Sequence, residues 1–255
     1  MITVENLVKE FPLKDGGKFN AVDGISFDSK DGEIVCLLGV NGAGKTTTMR
    51  ILSTVFRPTR GTASIAGWDI VKNPEKVREN LGFLSGDTGL YNRLRPHEFI
   101  RYFGRLYSVK DSEITRRMNE MVELLDMHDF MDKKIEFLST GMKQKVSIVR
   151  SIIHDPQVMI FDEPTAGLDI LTARNIISFI RKCKDEGKCV LFSTHIMREA
   201  ERLADRIVLI HRGKLLASGT LEELRSEAGE SDLDDIFVYY VNRFSDETEV
   251  LAHEF

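Results

Sequence analysis

Cysteine is scarce in this chain, and the few cysteines do not cluster. Cys36, Cys183 and Cys189 make an odd set of three. None has a close histidine or cysteine neighbour, which argues against a disulfide-stapled scaffold and against a zinc-ligand spacing. Cys36 and Cys189 stand in apolar, strand-like runs, so buried thiols are expected. Long apolar runs are missing as well. Stretches such as Ile34–Leu38 and Val158–Phe161 fall far short of the ~20 residues a helix needs to span a bilayer. A secretory leader is not expected, because Met1–Phe11 carries Glu5, Lys9 and Glu10 where an apolar segment would sit. The expectation is a cytoplasmic chain whose membrane role, if it has one, is borrowed from a partner. There is no dense Lys/Arg block, and the net charge of −5 argues against a phosphate-backbone binder, so no nucleic-acid partner is expected.

What is present is a rhythm of short apolar runs alternating with amphipathic stretches, the pattern of βα units on a mainly parallel sheet. A length of 255 residues allows one large α/β domain with a sizeable core. The N-terminal part differs: Ile2–Val8 and Ala21–Phe27 read as antiparallel strands joined by the polar Lys14–Lys18 turn. Ile34–Leu38 reads as a buried strand, followed by a glycine-rich loop and a helix from Lys45 to about Val55. Between Asn73 and Phe137, apolar residues at spacings of three and four in Pro96–Leu106 and Glu113–Leu125 predict a helical insertion. The βα rhythm returns with strands at Val158–Phe161, Cys189–Ser193, Ile207–His211 and Lys214–Ser218, and helices at Thr172–Asp185 and Met197–Ala204. The acidic stretch Leu221–Phe255 predicts one helical segment, and Asp232–Tyr240 holds apolar residues that could dock on a neighbour. No internal repeat is found, so the chain supplies one such domain.

Gly39-Val-Asn-Gly-Ala-Gly-Lys45-Thr46 fits the phosphate-loop pattern G-x-x-x-x-G-K-[ST] and lies between a buried strand and a helix. Glycines let the backbone curl so that successive N–H groups aim at one phosphate, and the helix N-terminus adds partial positive charge. Gly39, Asn41, Gly42, Ala43, Gly44, Lys45, Thr46 and Thr47 are therefore the candidate nucleotide-binding residues. Lys45 can reach the β- and γ-phosphates, and the Thr46 hydroxyl can ligate Mg²⁺. A second motif, Val158-Met-Ile-Phe-Asp162-Glu163, puts two carboxylates at the end of another buried strand, where open α/β sheets bind ligands. Asp162 is expected to hold Mg²⁺ directly or through water. Glu163 is placed to act on the attacking water, as general base or by orienting it.

Further motifs narrow the field. Leu138-Ser-Thr-Gly141-Met-Lys-Gln-Lys opens a helix and resembles the signature motif of ABC-type ATPases, Ala166-Gly-Leu-Asp169 resembles their D-loop, and His195 follows a strand where that family has its switch histidine. Phe11 stands where an aromatic side chain usually stacks on adenine. The resemblance runs from about residue 2 to residue 220 and implies a P-loop NTPase with a RecA-like core, an N-terminal antiparallel β subdomain and a helical subdomain at about 90–155. Residues 221–255 would be an acidic C-terminal extension.

The resemblance also implies a shared chemistry. Ser139 and the N–H of Gly141 would bind the γ-phosphate of an ATP held by a second copy of the chain, so two copies would sandwich two ATP molecules with Mg²⁺. His195 would contact the γ-phosphate and hold Glu163 in its productive pose, and Asp169 would act across the interface. The implied function is ATP hydrolysis that powers transport through a separate integral membrane permease, with the ATPase peripheral to the inner face of the membrane. The variations resemble the exporter branch, specifically the ATPases of sodium-extrusion and antibiotic-export systems.

Two departures stand out. Where the family carries a glutamine after the strand Leu81–Leu84, this chain has Gly86 followed by Asp87; Asp87 could substitute as a metal ligand, water could fill the position, or the switch could be weakened. Thr140 also makes the signature bulkier. The alternative to transport is an ABC ATPase acting on ribosomes or DNA. Translation-associated members usually carry two domains and a basic linker, and chromosome-associated ones a long coiled coil. This sequence has none of these.

Overall fold

The computed structural model describes residues 1–14, 16–86 and 89–253, with side chains described to residue 245. Strands β1 (Ile2–Pro12) and β2 (Lys18–Ser29) pair antiparallel and run longer than the apolar pattern predicts. Strand β3 (Ile34–Leu38) leads into helix α1 (Lys45–Leu52). Then come β4 (Arg60–Ile65), β5 (Trp68–Asp69), α2 (Pro74–Asn80) and β6 (Leu81–Leu84). Helices α3 (Pro96–Leu106) and α4 (Asp111–Leu124) occupy the insertion, and α5 (Thr140–Ile152) follows it. After them run β7 (Val158–Asp162), α6 (Ile170–Asp185), β8 (Cys189–Thr194), α7 (Met197–Leu203), β9 (Arg206–His211) and β10 (Lys214–Gly219). Helices α8 (Leu221–Ala228) and α9 (Leu233–His253) follow.

Among the described residues the strands assort into two sheets, ordered β2-β1-β4-β5 and β10-β9-β3-β8-β7-β6. The second is parallel except for β10, which pairs antiparallel with β9. Strand β3 is buried throughout because both faces of this sheet are covered, which is why its sequence is a continuous apolar run. Ile34, Cys36 and Leu38 face one core with α5 and α6, while Val35 and Leu37 face another formed with α1 and the antiparallel sheet. Cys36 and Cys189 are free and buried, as expected, and so is Cys183, whose thiol burial pushes up to about 12. Such thiols stay protonated and unreactive.

Two expectations need correction. Helix α1 ends at Leu52, short of Val55, because Thr54 turns into the left-handed region (φ 64°). The N–H groups of Val55 and Phe56 then both reach back to the carbonyl of Arg50. The C-terminal stretch forms two helices where one was expected. Thr220 and Glu223 cap α8 reciprocally, and Gly229 at φ 72° ends it. The apolar residues of α9 also need no neighbouring molecule for burial: Leu233, Ile236, Phe237 and Tyr240 are buried within the chain's own core. Ile236→Ala is expected to lower unfolding free energy by about 2–5 kcal/mol in urea titrations. Val238→Ala, at an exposed position on the same helix, should stay within about 0.5 kcal/mol of wild type.

Candidate nucleotide site

The C-terminal ends of β3, β8 and β7 lie side by side, and the site is built on that edge. The loop after β3 is braced on its backbone. Gly39 can carry no side chain, since a Cβ there would stand 2.2 Å from the Ile210 carbonyl oxygen. Gly44 caps α1 at φ 105°, and a Cβ there would stand 2.4 Å from the Ala21 oxygen. The N–H of Gly213, in the β9–β10 turn, donates to the Ala43 carbonyl at 2.9 Å. The loop is thereby held on three sides, and α1 starts without a side-chain cap. Its first N–H groups thus remain available to an anion.

Lys45 is buried at the mouth of this loop, 4% exposed. Its Nζ donates to the carbonyls of Gly39 at 2.7 Å and Val40 at 3.2 Å, and lies 3.6 Å from Glu163 Oε1. The Thr46 hydroxyl donates to Asp162 Oδ1 at 3.2 Å, and Ser193 Oγ donates to the same oxygen at 2.6 Å. Thr46 and Asp162 therefore converge, and their hard oxygen donors suit Mg²⁺, which commonly takes one or two protein oxygens plus phosphate and water. Asp87 lies outside the described residues.

Glu163 follows Asp162 with φ 47°, a left-handed conformation that costs a non-glycine residue about 1–3 kcal/mol. Its N–H donates to Ser193 Oγ at 3.0 Å, and its Oε1 lies 3.2 Å from His195 Nδ1. A third carboxylate, Glu199 on α7, accepts from the Thr165 hydroxyl at 2.6 Å and from the Thr194 hydroxyl at 2.9 Å. It ties the loop after Glu163 to the loop that carries His195.

The start of α5 joins the same region from another side. Gln144 Nε2 donates to the Pro164 carbonyl at 2.9 Å. Gly141 lies against Thr172, where a Cβ would come within 3.2 Å of the threonine methyl. Ser139 caps α5, accepting the N–H of Met142 at 3.3 Å. Asp169 caps α6, accepting from the N–H groups of Leu171 and Thr172 and from the Thr172 hydroxyl. These bonds, that from the Thr172 N–H foremost, hold the Asp169 carboxyl below its ordinary range.

A phosphate loop, an acidic strand end and a capped signature helix now stand in one arrangement, and comparison with known proteins decides the family. The ABC transporter family matches residues 22–166. The chain belongs to that family. The ABC transporter ATP-binding protein NatA of Bacillus subtilis is 40% identical over 239 residues, covering 93% of this chain and 97% of NatA. The linearmycin resistance ATP-binding protein LnrL of the same organism is 32% identical over 262 residues, covering 100% of this chain and 83% of LnrL. A solved ATP-binding subunit of an ABC transporter superposes with a TM-score of 0.86 at 31% identity, covering 94% of this chain and 99% of that one. As an ABC ATPase the chain binds and hydrolyses ATP. The fold is the expected one, with a RecA-like core, an antiparallel β subdomain and a helical subdomain.

In this ABC ATPase the cavity at the phosphate loop measures about 290 Å³ and is lined by Asn41–Thr47 with Phe19, Ala21 and Glu163. Phe11 is absent from that lining. It pairs with Phe19 across β1 and β2, and its ring meets Phe56 edge-on at 5.8 Å. Phe19, Ser193 and Glu199 went unnoticed in the sequence, where only the polar end of an apolar strand marked Ser193. Gly86 lines a separate cavity beside Thr140, Lys143 and Gln144, and among the described residues, its chain neighbours apart, no atom lies within 4 Å of the place a Cβ would take. If the cavity lining sets base contact, Phe19→Ala should weaken ATP binding about tenfold by calorimetry, in line with the ~1–3 kcal/mol of a base–aromatic stack. Phe11→Ala should change it by less than about threefold; the reverse order would return the adenine contact to Phe11.

Proposed function

We propose that this chain is the ATP-hydrolysing motor of an exporter, working as a pair of copies on a separate membrane permease. The observation that carries the reading is the incompleteness of the phosphate-loop cavity: no residue of α5 lines it. Ser139 and Gly141, at the N-terminus of that helix, are left to serve a nucleotide held by a second copy, where Ser139 Oγ and the N–H of Gly141 meet its γ-phosphate. Asp169 stiffens the start of α6 at that interface.

Within each site Lys45 would neutralise phosphate charge, Thr46 and Asp162 would hold Mg²⁺, and Glu163 would take a proton from the attacking water or orient that water while His195 fixes its carboxylate. Bound Mg²⁺ would supply electrostatic stabilisation of the phosphate oxygens. Residues 1–220 form the ATPase domain, with the helical subdomain at about 90–155, and 221–255 form the extension.

Among the described residues no helix is long and apolar enough to cross a membrane, so the transport path belongs to the permease, on whose inner face the ATPase sits. The exposed side chains of Tyr91, Tyr102 and Leu106 on the helical subdomain suit contact with that partner. Likeness to a linearmycin resistance protein supports outward transport, with a drug or sodium ions as cargo.

Light scattering on Glu163→Gln tests the pair directly. Hydrolysis should fall by about 10²–10⁴-fold, the range of general acid–base catalysis, and Mg-ATP should shift the mass from one copy to two. An ATP-loaded variant that stays monomeric at every concentration would overturn the self-contained sandwich. Gly86→Gln fits its open surroundings and should raise ATPase turnover if the missing glutamine is a real weakness; an unchanged rate assigns that task to another group.

A further inference from the structure

The hydroxyl of Ser193 stands where the two carboxylates of the site meet. Strand β8 runs between β3 and β7, and its register sets Ser193 opposite Asp162 on one side and Leu37 on the other. Ser193 is 0% exposed, so solvent is not at hand to replace either of its bonds. A hydroxyl has one proton to give and lone pairs to receive. Here the proton goes to Asp162 Oδ1 at 2.6 Å, and a lone pair takes the N–H of Glu163 at 3.0 Å.

Each bond restrains one of the two acids. Thr46 and Ser193 both donate to Oδ1 of Asp162, and among the described residues no hydrogen bond reaches Oδ2. The carboxylate is thus turned so that its second oxygen is free for other work. Glu163 sits at φ 47°, a conformation that persists in a non-glycine residue only when its surroundings over-determine it. Its N–H is fixed by Ser193 and its carboxylate by His195 at 3.2 Å. One buried oxygen therefore sets the rotation of Asp162 and the peptide on which Glu163 turns.

The geometry points to Ser193 as a positioning residue for ATP hydrolysis, holding Asp162 and Glu163 at a fixed mutual angle. This rests on the reading of Asp162 as metal ligand and Glu163 as the group that acts on water. Steady-state ATPase assays of the full chain across a Mg²⁺ titration test it, with ATP affinity from calorimetry and thermal melting measured alongside. Ser193→Ala should hold ATP affinity within about twofold, lose about 10–100-fold in kcat and require more Mg²⁺ for half-saturation, the usual scale for groups that orient metal ligands. Ser193→Cys keeps the volume but donates weakly, so it should stay at the alanine level, while Ser193→Thr should recover activity. Wild-type kcat and Mg²⁺ dependence in Ser193→Ala would overturn the proposal. So would a cysteine variant that restores activity, since packing alone would then explain the residue. Glu163→Gln in the same assay separates the two claims: if it is inactive while Ser193→Ala is normal, only the positioning role fails, and if it is active, the underlying assignment fails.

Discussion

Everything in the site depends on strand β8 being hydrogen-bonded between β3 and β7. That order brings the end of the phosphate-loop strand, the end of the acidic strand and the residues before His195 to one edge of a sheet. Parallel pairing then fixes the depth of each. Asp162 is level with Ser193, and Leu38, immediately before the loop, is level with Thr194. A slip of one residue in either pairing would turn alternate side chains to the other face, so the two apolar cores that grip β8 also hold its polar end in register.

Around that edge the restraints fall into two groups. The phosphate loop is held by backbone contacts from β2, β9 and the β9–β10 turn, and these require glycine where another chain segment passes at contact distance. The acids are held by side chains: Ser193 between them, His195 beside Glu163, Glu199 across the two following loops. The helix that begins at Thr140 is joined to the second group through Gln144 and through the close approach of Gly141 to Thr172. Displacement of the segment after Glu163 is thereby felt at the signature helix, so the two need not respond independently.

The sequence carried more of this architecture than of its side-chain detail. Buried parallel strands announce themselves as unbroken apolar runs, so β3, β7 and β8 were legible, as was the loop whose glycines and lysine have a fixed spacing. Helix ends were less so, because Thr54 stops α1 with a backbone turn that threonine does not advertise. The C-terminal helices were blurred by acidic composition; Thr220 and Glu223 marked the first of them, but the burial of Ile236 depends on surfaces formed far away in sequence. Ser193 and Glu199 could not be found by motif spacing, since their importance lies in what the folded chain sets opposite them. Phe11 and Phe19 show the same limit: strand pairing places both on one hairpin, and only the folded shape distinguishes the ring that borders the cavity from the ring that leans on Phe56.

The contact of Lys45 with Glu163 has a consequence for how the pocket fills. The ammonium rests on two loop carbonyls and on a carboxylate 3.6 Å away. The cavity therefore brings its own counter-ion, which lowers its attraction for stray anions. An arriving phosphate must compete with Glu163 for that charge, so occupancy of the loop and release of the glutamate are one exchange.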